Sequence, residues 1–172
     1  LSEVVVGLGW DVNASGGSAF DLDAIAFLVK ADGKVASDFN ICYFGNKTVA
    51  GGAVVHSGDN LTGAGDGDDE QIVVNLTKLP TDVEKVVVAV QIYENDKRNQ
   101  NFGQVNNAFI RLVDKTTDSE LCKYDLSEDF SIESAVVMGE VYRKDGEFKF
   151  KALGQGKATT IKQLMTEFGA NV

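Results

Sequence analysis

Apolar, β-branched runs recur at short intervals along the chain, at residues 4–8, 24–29, 39–44, 53–55, 72–76, 86–93, 108–113, 121–124, 135–142 and 148–153. Each is too short for an amphipathic helix, and turn signals such as Asp32-Gly33, Gly51-Gly52 and Lys144-Asp145-Gly146 separate them. Many short strands and few helical windows predict an all-β protein, a mainly antiparallel β-sandwich. The alternation is clearest after Lys144-Asp145-Gly146, where Phe148 and Phe150 share one face and Lys149 and Lys151 the other, as expected for the second arm of a hairpin with one dry face. Helical spacing is confined to the tail, residues 159–168, where Ile161, Leu164, Met165 and Phe168 fall on one stripe and Gly169 supplies a stop. This short C-terminal helix should pack on a sheet face or on the sandwich edge. A further turn of helix is expected at 79–83, opened by Pro80.

At 172 residues the chain suits a single domain, 1–172, able to bury roughly 70% of its extended surface. A hydrophobic content of 44% with one proline argues against disorder. The net charge of -10 repels phosphates and anionic headgroups, which disfavours nucleic-acid binding. No apolar run approaches 18 residues and no signal-peptide pattern is present, so direct membrane insertion is not expected and a cytoplasmic location is. Cys42 and Cys122 lie in strand-like runs outside any C-x-x-C pair and read as buried free thiols. The chain opens at Leu1 inside an apolar run and without an initiator Met, which suggests that a preceding segment is missing.

Charge is concentrated rather than spread. Between Ser57 and Gln71 lie Asp59, Asp66, Asp68, Asp69 and Glu70 on a glycine-rich backbone, with no lysine or arginine among them. Carboxylates packed this densely repel and need a counter-charge or full solvation. A second acidic strand entry, Asp21-Leu22-Asp23, presents two carboxylates from one face, since residues i and i+2 of an extended chain point the same way. By the same rule Asp68 and Glu70 share a face and Asp69 takes the other. Two such entries side by side at one end of a sandwich would form a carboxylate cage. Calcium takes six to eight oxygens at about 2.3–2.6 Å, and carbonyls of Asn60, Thr62, Gly63 and Gly65 can add to the carboxylates. The carboxylate count suits one or two ions. All-oxygen, flexible ligands favour calcium over magnesium and over zinc.

Competing motifs fail on spacing. An EF-hand loop needs helical flanks, a Gly at its sixth position and a Glu at its twelfth, whereas these flanks read as strands. The Gly63-Ala64-Gly65-Asp66-Gly67-Asp68 stretch resembles half a calcium β-roll repeat but occurs once, and a phosphate-binding loop would need a Lys. A metal-dependent hydrolase or phosphotransfer enzyme built on the same carboxylates is the alternative, with His56 three residues from Asp59 as a base and Lys97-Arg98 after Asp96 as cations. A lone His ending a strand reads more readily as a structural or surface residue. Trp10 reads as a core anchor, Asp11 can reach the same acidic end, and the polar run 94–101 reads as an exposed loop able to meet a partner.

In combination, Gly7-Leu8-Gly9-Trp10-Asp11, Phe20-Asp21-Leu22-Asp23-Ala24 and the run from Gly58 to Glu70 resemble the TerD family of tellurium-resistance and stress proteins. Asn101-Phe102-Gly103-Gln104-Val105, Tyr124-Asp125-Leu126-Ser127, Gly139-Glu140-Val141-Tyr142-Arg143 and Gly154-Gln155-Gly156 continue the match over nearly the whole chain. The resemblance implies a calcium-binding β-sandwich in bacterial stress tolerance, without transferable catalytic residues. It also implies partnership with other Ter-family proteins, including a membrane-bound component, at the inner face of the membrane. The calcium ligands it implies are Asp21, Asp23, Asp59, Asp66, Asp68, Asp69 and Glu70. The chain departs from the family in lacking a Lys-Gly-containing segment ahead of Leu1 and in carrying Thr159-Thr160 where a Gly-Gly pair is common.

Overall fold

The computed structural model describes residues 1–12, 17, 19–57 and 68–171. Its strands are β1 (Glu3–Gly9), β2 (Leu22–Val29), β3 (Ile41–Cys42), β4 (Thr48–Val49), β5 (Val54–His56), β6 (Glu70–Asn75), β7 (Lys85–Ile92), β8 (Phe109–Asp114), β9 (Ser119–Asp125), β10 (Ala135–Lys144) and β11 (Glu147–Lys157). Short helices α1 (Asn95–Arg98) and α2 (Leu126–Asp129) lie in connections, and α3 (Ile161–Glu167) closes the chain. The strands form two antiparallel sheets, ordered β4-β5-β6-β1-β8-β9 and β11-β10-β7-β2-β3. This is the expected antiparallel sandwich with a short C-terminal helix.

The core follows from strand alternation. Val4, Val6 and Leu8 of β1, Ile72 and Val74 of β6, and Ile110 and Leu112 of β8 meet Leu22, Ala24, Ala26 and Leu28 of β2 and Val86, Val88 and Val90 of β7 between the sheets. The opposite face of the second sheet is also dry, because Ile25, Phe27 and Val29 of β2 and Val87 and Ala89 of β7 pack under Leu164 and Met165 of α3. Strand β2 is therefore buried along its whole length, which explains why its sequence from Ala24 to Val29 is a continuous apolar run and not an alternating one. Thr160 caps α3 through a reciprocal capping box with Gln163, and Gly169 takes φ +90° just past the helix. The helical stripe lands on a sheet face, with Phe168 stacked on Phe27 at 4.3 Å.

Several boundaries differ from expectation. The apolar run 39–44 forms strand only at Ile41–Cys42, because residues 38–40 make a 3-10 turn that leaves Phe39 81% exposed. Strand β4 is a two-residue pair with β5, below the length at which periodicity is visible. Pro80 opens a single hydrogen-bonded turn, Val83 N–H donating to Pro80 O at 3.1 Å, whereas the helical turn of this connection precedes the proline, at Leu76–Lys78, where the Asn75 side chain accepts from the Thr77 N–H. Cys42 is buried and its thiol is pushed up to about 12 by burial, while Cys122 is only half-buried, on edge strand β9.

Candidate metal centre

The fold brings the two acidic strand entries to one end of the sandwich. Asp21 immediately precedes β2, Asp23 is the second residue of that strand, and Glu70 opens β6 in the other sheet. One ligand atom from each of Asp21, Asp23 and Glu70 lies within 4.8 Å of the other two, and all three residues are buried. Strand β3 pairs only with Ala26 and Phe27, so the edge of β2 is open at Ala24. Glu70 fills that gap, its Oε1 accepting from the Ala24 N–H at 3.2 Å. A carboxylate from one sheet thus completes the edge of the other.

His56 takes the structural of the two roles its position at a strand end allows, and its partner is Glu70. It ends β5 and points inward, with Nε2 3.0 Å from Glu70 Oε1 and neither side chain exposed. The short strand alternates, with Val54 and His56 buried and Val55 exposed between them.

The three successive acids at the start of β6 diverge. Glu70 turns inward to the cluster. Asp69 is tied to β1, its N–H donating to Leu8 O at 2.7 Å and its Oδ2 accepting from the Trp10 N–H at 2.8 Å. Asp68 does not share the Glu70 face; it is gripped on the outer surface by Arg111, with Nε to Oδ1 at 3.0 Å and Nη2 to Oδ2 at 2.8 Å. Alternation fails to reach Asp68 because it precedes the strand and a bend at Asp69 intervenes. Burial raises the Asp68 carboxyl, but hydrogen bonds from Arg111 and Gln71 outweigh it and hold it below the ordinary carboxylate value. The Arg111 guanidinium is raised correspondingly, first by its bonds to Asp68.

The remaining expected ligands, Asp59, Asn60, Thr62, Gly63, Gly65 and Asp66, lie outside the described residues. Asp11 is engaged elsewhere, accepting from Asn107 Nδ2 at 2.7 Å. Trp10 is a core residue whose indole N–H donates to Phe20 O at 2.8 Å. The 94–101 run is less open than expected, for it holds α1 and a buried Gln100. Arg98 and Gln100 from this run donate to Ala19 O at 3.0 and 3.2 Å, and the Tyr93 N–H donates to Asp21 O at 2.7 Å, so the segment braces the Asp21 entry.

Chemically, Asp21, Asp23 and Glu70 offer oxygen donors only and a dense negative charge, a set that fits a hard divalent cation. A sandwich that joins its two sheets through buried carboxylates defines the class: a β-sandwich with an acidic cluster at one end. The TerD domain matches residues 1–168. General stress protein 16U of Bacillus subtilis (strain 168) is 50% identical over 173 residues, covering 100% of this chain and 90% of that protein. Tellurium resistance protein TerD of Serratia marcescens is 46% identical, covering 99% of this chain and 89% of that protein. In fold, the chain matches a crystal structure of a homologue of telluride resistance protein from Streptomyces coelicolor A3(2) at TM-score 0.85 and 24% identity, over 98% of each chain. A crystal structure of a protein of unknown function matches at TM-score 0.86 and 26% identity, over 100% of this chain and 99% of that one. The chain belongs to the TerD family. It resembles the tellurite-resistance and stress-response members of that family. Among the described residues no helix is long and apolar enough to cross a membrane.

Proposed function

We propose that this protein is a non-enzymatic calcium-binding module of the stress response, acting through a partner-binding surface at the acidic end of the sandwich. The observation that carries the reading is the convergence of Asp21, Asp23 and Glu70, buried and from two sheets, within 4.8 Å. These three residues would hold the ion, with the run 58–67 available to add oxygens to that site or to a second. Bound calcium supplies the positive charge that offsets the mutual repulsion of the carboxylates.

Glu70 does the structural part, since it bonds β2 from β6 and so couples the sheets at this end. The neighbouring surface is suited to a partner. Phe44 and Tyr93 meet edge-to-face at 5.5 Å, and Arg98 lies 5.6 Å over the Tyr93 ring. The partners proposed are other Ter-family proteins, including a membrane-bound component, met from the cytoplasmic side. A hydrolytic role is less well supported. His56, the nearby base, is buried against Glu70, and the Lys97 and Arg98 cations pair with Glu94 at 3.1 and 3.6 Å.

Thermal unfolding with and without calcium tests the reading. A ligand at 100 times its dissociation constant stabilises by about 2.7 kcal/mol per site, so calcium should raise the melting temperature by several degrees and Asp23→Asn should remove most of the gain. An unchanged melting curve contradicts it.

A further inference from the structure

One row of residues crosses three strands on the outer face of the first sheet: Gln71 of β6, Gly7 of β1 and Arg111 of β8 stand in direct register. Gly7 leaves a gap in that row, and the Asp68 carboxylate lies in it. A Cβ on Gly7 would stand 2.5 Å from Asp68 Oδ2 and 2.6 Å from Oδ1. Arg111 grips the carboxylate from one side with both oxygens engaged, and Gln71 Nε2 donates from the other at 2.9 Å. The Asp68 side chain is 4% exposed, although it belongs to the outer surface. A bidentate guanidinium-carboxylate pair fixes orientation as well as position.

We infer that Arg111 is a positioning residue of the metal centre: by seating Asp68 over Gly7 it sets the start of β6 so that Glu70, two residues on, turns inward to join Asp21 and Asp23. This inference rests on the calcium reading above. Asp68 and Asp69 are each held to the first sheet, Asp68 by Arg111 and Asp69 by Leu8 and Trp10. On the far side, Gln71 N–H donates to Ser57 Oγ at 2.9 Å and Ser57 N–H to Gln71 O at 2.8 Å. Glu70 is thereby delivered with little freedom left to lose on binding, and lost freedom is a direct cost to affinity. The same pairing gives the Asp68 charge its own counter-charge, so Asp68 serves as an anchor and the inward set is Asp21, Asp23 and Glu70.

The test is a double-mutant cycle on the full chain: calcium dissociation constants by calorimetry for the unsubstituted protein, Arg111→Gln, Asp68→Asn and the double variant, with Arg111→Lys as a milder change. Melting in chelator and amide exchange at Trp10 report the anchoring without metal. Groups that orient metal ligands from behind are worth about 10–100-fold in affinity. Each single variant should therefore weaken calcium by about tenfold or more, the double variant should be no weaker than either single, and Arg111→Lys should recover part of the loss. Trp10 amide exchange should quicken in the single variants even in chelator. An unchanged dissociation constant in Arg111→Gln, with only a lower melting temperature, overturns the inference by making the pair merely structural. A loss in Asp68→Asn that Arg111→Gln does not share overturns it by making Asp68 a ligand. Absence of calcium binding in the unsubstituted protein overturns the calcium reading itself, and the positioning role with it.

Discussion

His56 Nε2 lies 3.0 Å from Glu70 Oε1, and the pair joins β5 to the first residue of β6 inside the protein. A buried carboxylate deprived of a hydrogen-bonding partner loses about 1–3 kcal/mol. His56→Ala should therefore lower the unfolding free energy in chelator by that amount. Urea denaturation measures it, and a midpoint shift below about 0.5 kcal/mol in equivalent free energy would show that the contact contributes little.

Gly7 serves for space, since its φ is not in the left-handed region and the Asp68 carboxylate fills the place of a Cβ. The added methyl of Gly7→Ala would collide with the Asp68 carboxylate and force it out from between Gln71 and Arg111. Overpacking of this kind costs about 1–3 kcal/mol. Chemical denaturation should show the loss in the native background and a much smaller loss when Asp68 is already Ala, because the colliding group is then gone.

The Asp68–Arg111 pair sets a pH dependence. The folded carboxyl is held below its ordinary value, so its contribution to stability is present above the unfolded value and fades as pH falls through the folded one. In chelator, the stability difference between the native protein and Asp68→Asn should be constant between about pH 5 and 7 and shrink below about pH 4. A difference that grows on acidification would reverse the sign of the argument.

How much of this was legible in the sequence can be seen residue by residue. Alternation located most strands, and the stripe Ile161, Leu164, Met165 located α3, because those patterns report burial directly. The Asp21–Asp23 pair was legible for the same reason, since an extended entry keeps i and i+2 together. Asp68 was misplaced beside Glu70 because the bend at Asp69 breaks the alternation, and its true partner, Arg111, is 43 residues away in sequence. A search among neighbouring residues finds no cation in the acidic stretch; the sheet supplies one from β8. His56 was legible as the residue ending a strand but not as the partner of Glu70, because a strand of three residues, Val54–His56, gives periodicity little to work with. Pro80 marked a single turn, closed by the Val83 N–H on its carbonyl, but not the helical turn at Leu76–Lys78, which the Asn75 side chain caps ahead of the proline.

The central claim is that Asp21, Asp23 and Glu70 form one calcium centre across the two sheets. A crystal structure grown with calcium tests it most directly, through the ligand distances. The account predicts an ion with carboxylate oxygens of all three residues at about 2.3–2.6 Å and with Asp68 still paired to Arg111. An ion held by Asp68 away from Glu70, or no ion among the three carboxylates at saturating calcium, would contradict it.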